Sequence, residues 1–170
     1  MTPTIRLLTL EDTAAYRALR LAALATDPVS FHSYPDEEGA MSEAQFAARL
    51  TEPPCEGVFG AFVDGRLLGV AGLVGSPRRK LAHKLTLVGV YVTPDARGQG
   101  LARRLAEAAI ARAKSLPGIT RLLLGVHGTN HAAIALYRSL GFEAYGHEPE
   151  AMIVDGQTHD EILMGMSLRP

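Results

Sequence analysis

The sequence predicts an α/β (α+β) fold, with a mostly antiparallel sheet flanked by helices. Three observations carry that prediction. Two pairs of apolar runs are joined by Asp64-Gly65 and Asp155-Gly156, dipeptides preferred in two-residue hairpin turns. Stretches rich in alanine and leucine, with apolar residues at helical spacing, alternate with those runs. Leu122-Leu123-Leu124 lacks the alternation of a half-exposed strand, as expected of a central strand covered on both faces.

Each element follows from its local signals. Ile5 to Leu8 reads as a short first strand. Asp12 or Thr13 then caps a helix with Ala15, Leu19, Ala22 and Ala23 or Leu24 on its apolar stripe, ending near Thr26-Asp27-Pro28. Val29 to Ala40 is irregular and is a candidate substrate loop. Ser42, with Gln45 three residues on, forms a capping box that opens a short helix to about Leu50. Val58 to Val63 and Leu67 to Val74 form the first hairpin. After the polar, basic connection Ser76 to Lys80, Lys84 to Val92 adds a strand that Pro94 stops. A helix is expected from about Gln99 to Ser115, halted by Leu116-Pro117-Gly118, followed by a strand from Ile119 to Val126. The next helix opens near Thr129 or Asn130 and closes at Gly141, with Phe142 folding back onto its last turn. Ala144 to Val154 and Gln157 to Leu168 make the final hairpin. There is no internal repeat and no low-complexity linker.

The 170 residues are expected to form one domain, long enough to bury a core without a disulfide or metal staple. Lys and Arg number 17 against 18 Asp and Glu, for a formal net charge of -1. That balance argues against a general nucleic-acid or membrane-surface binder. The single cysteine, Cys55, cannot form an intrachain disulfide and has no feature of an activated thiol. The start Met1-Thr2-Pro3-Thr4-Ile5-Arg6 lacks the form of a signal peptide, and no apolar run approaches the about 20 residues that cross a bilayer. A cytoplasmic protein is the expectation. His127 and His131 lie four apart, but a loop and a helix start intervene, so no metal site is expected.

Arg97-Gly98-Gln99-Gly100-Leu101-Ala102, between a proline-stopped strand and a helix, has the layout of an anion cradle: glycines admit close backbone approach, and the helix offers its positive end. Three ligands compete. A nucleotide P-loop needs Gly-Lys followed by Ser or Thr, and this turn continues through Leu101, Ala102, Arg103 and Arg104. A dinucleotide fingerprint needs Gly or Ala where Arg103 stands and an acidic residue further on, yet Ala108 to Phe142 contains neither Asp nor Glu. The third reading takes in Val90-Tyr91-Val92 and Pro94 ahead of the turn, and Arg97 within it. It resembles the acyl-CoA signature of the GNAT superfamily of N-acyltransferases. Downstream, Asn130 through Ala133 and Tyr137 to Gly141-Phe142 resembles the second GNAT signature, and the element order from Ile5 to Leu168 follows the family layout.

The resemblance implies a mixed central sheet with a splayed strand pair for acyl-CoA, and acetyl transfer from acetyl-CoA to an amine by direct attack. It implies that Gly98, Gln99, Gly100, Leu101, Ala102 and Arg103 hold the pyrophosphate with Arg97, while Val90, Tyr91 and Val92 present backbone to the pantetheine arm. A backbone amide near Val92 would meet the thioester oxygen. Asn130 and Ala133 would contact the cofactor, and Tyr137 would act as general acid toward the departing thiolate. The same residues also suit ordinary roles: Asn130 as a helix cap, Tyr137 as core packing, Arg97 and Arg103 as solvated helix charges.

Many relatives carry a glutamate about five residues ahead of the position of Tyr91; this chain has Thr86 there. The expected base is therefore water-mediated and drawn from His83, Glu148 or Glu161. Asp160 and Glu161 must face opposite ways on a strand, so at most one looks into the site. Asp36, Glu37 and Glu38 could attract a cationic acceptor. The expected partner is a small-molecule or peptide amine, with no nucleic acid, membrane or metal; a homodimer is common among relatives. The alternative on the same fold is a non-catalytic acyl-CoA sensor or interaction module.

Overall fold

The protein is described by a computed structural model over residues 2–169. Its first half is an antiparallel meander of β1 (Thr4–Leu7), β2 (Cys55–Val63), β3 (Arg66–Val74) and β4 (Lys84–Val92). β5 (Arg121–His127), β6 (Glu143–Val154) and β7 (Gln157–Ser167) complete a seven-stranded sheet in the order β1-β2-β3-β4-β5-β7-β6. Among the described residues only β4 and β5 pair in parallel, which makes the sheet mixed but mostly antiparallel, as expected. Both hairpin turns place two residues in the left-handed region: Asp64 and Gly65 at φ 50° and 77°, Asp155 and Gly156 at 49° and 78°. That geometry matches the twist of the strands it joins.

Helices cover both faces. On one, α1 (Thr13–Thr26) and α3 (Glu43–Thr51) press Tyr16, Leu19, Leu24, Phe46 and Leu50 onto Val58, Val70 and Tyr91. On the other, α4 (Leu101–Ser115) and α5 (His131–Ser139) close over Ala61, Ala71, Leu85, Leu87 and Leu122. Close approach of α4 to the sheet needs small residues: a Cβ at Gly69 would sit 3.1 Å from Leu105 and 3.0 Å from the Tyr91 carbonyl.

The capping box at α3 is reciprocal, with Ser42 N–H donating to Gln45 Oε1 at 2.8 Å and Gln45 N–H to Ser42 Oγ at 3.2 Å. After α5, Gly141 takes φ 100° and Phe142 N–H returns to the Tyr137 carbonyl at 3.0 Å. Two details differ from expectation. The irregular segment contains α2 (Pro35–Gly39), started by proline at its first position and by Glu37, whose carboxylate accepts the Tyr34 N–H at 2.6 Å. The helix expected from Gln99 begins at Leu101, because Gly98 and Gly100 both hold φ 77°.

Candidate active site

The parallel pair does not stay together. β4 and β5 partner at Lys84 with Arg121, Leu85 with Leu122 and Thr86 with Leu123, and there the pairing ends. β5 remains bound to β7 from Arg121 through His127, so β4 is the strand that departs. The cause lies in β4 itself. Gly72 and Val70 of β3 pair with Val88 and Tyr91, leaving Gly89 and Val90 opposite Ala71 alone, with Gly89 at φ 61°. Such a bulge bends its strand and shifts the side-chain alternation by one residue. Hence Leu85 and Leu87, then Val92, join the same core.

The parting opens a cleft of about 880 Å³ between β4, β5, α5 and the segment after α1. Val90, Tyr91 and Val92 line it. The Tyr91 ring is turned away into the α1 side of the core, its hydroxyl 2.9 Å from Thr26 Oγ1. The Val92 carbonyl accepts Arg97 Nε at 3.0 Å rather than a strand partner, and alternation puts the Val90 backbone on the same open edge. This stretch therefore offers main-chain groups to the cleft.

Beyond β4 comes the glycine turn. The first bond of α4 runs from Arg104 N–H to the Gly100 carbonyl at 3.1 Å, and the N–H groups of Gly98, Gln99, Gly100, Leu101, Ala102 and Arg103 have no acceptor among the described residues. These donors lie at the positive end of the helix. A Cβ at Gly98 or Gly100 would meet nothing within 4 Å, so the left-handed backbone, not crowding, is what calls for glycine. Leu101, 1% exposed, anchors the helix start in the core.

The arginines are more committed than expected. Arg97 lines the cleft, but Nε bonds Val92 and Nη2 pairs with Asp27 at 2.5 Å, which ties the turn to β4 and to the end of α1. Its Nη1 and the second N–H of Nη2 are left for a ligand. Arg103 Nη2 donates to Ser139 Oγ at 2.6 Å, joining α4 to α5.

α5 forms the facing wall with Asn130, Ala133 and Tyr137. Asn130 Oδ1 caps the helix by accepting Ala133 N–H at 3.1 Å. Tyr137 packs edge-on against Phe142 at 5.8 Å, and its hydroxyl has no hydrogen bond among the described residues. Burial pushes this phenol up to about 12, so it holds its proton near neutral pH and can donate it.

An open strand edge and a protonated phenol thus share one cleft, and the glycine turn borders it through Arg97 and Ala102, while Gly98, Gln99, Gly100, Leu101 and Arg103 lie outside its lining. Residues 18–142, which span the cradle and α5, match the model of the acetyltransferase (GNAT) family. The chain belongs to the GNAT acetyltransferase family. It is 34% identical over 141 residues to mycothiol acetyltransferase of Salinispora tropica, covering 78% of this chain and 46% of that protein. The chain thus spans less than half the length of this curated relative. The acetyltransferase of GNAT family from Streptococcus pneumoniae superposes with a TM-score of 0.82 at 25% identity, covering 98% of this chain and 99% of that one. The Salmonella typhimurium protein yncA, solved with its cofactor acetyl-CoA, shares the fold with a TM-score of 0.82 at 24% identity, covering 100% of this chain and 96% of that one.

Where many GNAT enzymes carry a glutamate, Thr86 lines the cleft. Of the three expected bases only Glu161 is in the cleft. It is 8% exposed, and a Cβ at Gly125 would come within 2.9 Å of its Oε2, so that glycine makes its room. Its Oε1 lies 2.7 Å from His32 Nε2. Asp160 points the other way, to His147 Nε2 at 2.8 Å and the Glu150 N–H at 2.9 Å. Glu148 pairs across the hairpin with Glu161 but is exposed and outside the cleft lining. His83 is exposed at the closed end of the strand pair, where its carbonyl receives Thr120 and Arg121. Neither residue lines the cleft, because the splay carries the cleft away from His83 and Glu148 faces solvent. His32 was not anticipated, since nothing in an irregular segment marks its partner.

A second cavity of about 450 Å³ adjoins the cleft, and Arg20, Ser33, Val88 and Gly89 line both. The acidic run does not offer free charge to a cationic acceptor through Glu38: that carboxylate, 3% exposed, is clamped by Arg20 and Arg49. Arg20 carried a readable signal. It lies four residues after Tyr16 and four before Leu24, on the buried face of α1. Cys55 lines this cavity, and burial pushes its thiol up, which keeps it protonated.

Proposed function

We propose that this GNAT domain moves an acetyl group from acetyl-CoA to a primary amine by direct attack, without a covalent enzyme intermediate. The parting of β4 from β5 beside the unpaired amides of Gly98 to Arg103 carries the reading. When bound, acetyl-CoA supplies an activated thioester and an anionic pyrophosphate.

In this reading the main chain of Val90 and Val92 takes the pantetheine arm as an added strand and meets the thioester oxygen with an N–H. The Gly98–Arg103 amides and Arg97 Nη1 take phosphate oxygens. Asn130 steadies the arm through its free amide nitrogen, beside Ala133. Glu161, with His32, accepts through water the proton that the acceptor ammonium must lose. The amine forms the new C–N bond as the C–S bond breaks, Tyr137 gives its proton to the departing sulfur, and the second proton shed by the nitrogen as it becomes an amide passes through water to restore the phenol.

The test is thiol release followed across a panel of small amines and amino-terminal peptides. Release that depends on the acceptor supports the enzyme. Tight acetyl-CoA binding with no acceptor-dependent release overturns it in favour of a binding module.

A further inference from the structure

We infer that the smaller cavity is the acceptor site and that it selects amines bearing a carboxylate, with compact amino acids as the substrate class. This rests on the acetyl-transfer reading above and names its acceptor. The cavity, about 450 Å³, falls within the roughly 300–1,000 Å³ typical of small-ligand sites. It shares Arg20, Ser33, Val88 and Gly89 with the cleft, beside the bulge that opens the cofactor gap, so a molecule seated there adjoins the path of the thioester.

Its charge is the deciding feature. Arg20 grips Glu38 with Nε and Nη2 at 2.9 and 2.7 Å, and Arg49 Nη1 reaches the same carboxylate at 2.8 Å. Two guanidiniums share one carboxylate, which leaves one positive charge without an anion. Glu52, the other acid lining the cavity, is exposed at its rim, where water screens it. Arg20 is 15% exposed along its side chain and also lies over the Phe31 ring at 4.7 Å, so its orientation is fixed. Its remaining nitrogen, Nη1, makes no hydrogen bond among the described residues and stands 3.7 Å from the position of a Cβ on Gly89. Tyr16, whose hydroxyl has no hydrogen bond among the described residues, lines the same cavity. A sheltered cation with an open donor fits a planar anion. A carboxylate held there leaves the amine of a short molecule free to face the cleft, where Glu161 and His32 stand.

The experiment measures kcat/KM for the common L-amino acids, their carboxamides and their decarboxylated amines, together with thermal shifts given by each compound without acetyl-CoA. The best acid is expected to exceed its own amide and amine by about tenfold or more, because a site built to bond a group rejects analogues lacking it. Arg20→Gln should erase that ratio. Arg49→Gln, which removes the excess charge but keeps Nη1, should reduce it by a smaller factor while leaving the acetyl-CoA KM unchanged. Turnover that is equal or better with amides or plain amines overturns the carboxylate site and leaves acetyl transfer standing. No turnover with any compound, alongside thermal shifts confined to the acids and lost in Arg20→Gln, overturns acetyl transfer and leaves the carboxylate site standing.

Discussion

Replacing Tyr137 with phenylalanine separates a chemical role from a packing role. The ring keeps its edge-on contact with Phe142 at 5.8 Å, and the lost hydroxyl had no protein hydrogen bond to forfeit. Stability should therefore change by less than about 0.5 kcal/mol, or roughly 2 °C in Tm for a chain of this size. The chemistry should change far more. A positioned acid contributes about 10²- to 10⁴-fold, or roughly 3 to 5 kcal/mol of barrier. Because burial holds the phenol at about 12, it remains protonated through the neutral range and should impose no alkaline fall in rate there. Steady-state kinetics with a saturating acceptor, paired with thermal unfolding, gives both quantities. A Tyr137→Phe variant with wild-type Tm and kcat within about threefold of wild type would refute the acid assignment.

Three further outcomes are expected. Gly100→Ala places a Cβ in open space but in the left-handed region, at a cost of about 1–2 kcal/mol. Titration should show weaker acetyl-CoA binding by roughly tenfold, and an unchanged Kd would dismiss the cradle. Glu161→Gln should lower kcat about 100-fold with little effect on the acetyl-CoA KM, and full activity would exclude it as proton acceptor. Burial alone would raise the Glu38 carboxyl, but Arg20 and Arg49 outweigh it and hold the group at about 2, below its ordinary 4.5. The unfolded chain then binds that proton more readily, so about 3 kcal/mol of stability is present above pH 4.5 and is lost as pH falls toward 2. Urea unfolding across that window should lose less stability in Glu38→Gln than in wild type, and parallel curves would contradict the pairing.

What could be read in advance was local. Asp64-Gly65, Asp155-Gly156 and the Ser42 and Gln45 box each act within a few residues, and their turns and cap stand where those signals put them, while the left-handed glycines at 98 and 100 move the helix start from Gln99 to Leu101. α2 escaped because five residues are too few to show a helical period. The proton-accepting side escaped for a different reason. His32 and Glu161 are 129 residues apart in sequence, and only the β5–β7 pairing together with the path of the chain after α1 brings them to 2.7 Å. The bulge at Gly89 was equally hidden, since a glycine in an apolar run does not announce which strand it will leave. Arg20 was the exception: a charge on the apolar stripe of α1 asks for a buried partner, and Glu38 is that partner.

The central claim is that the β4–β5 gap and the Gly98–Arg103 amides hold acyl-CoA. A crystal structure with acetyl-CoA tests it most directly. Pyrophosphate oxygens are expected within hydrogen-bond distance of the N–H groups of Gly98 through Ala102, the pantetheine arm along Val90 and Val92, and the sulfur beside the Tyr137 hydroxyl. Acetyl-CoA bound elsewhere, or a sulfur out of reach of Tyr137, would contradict it.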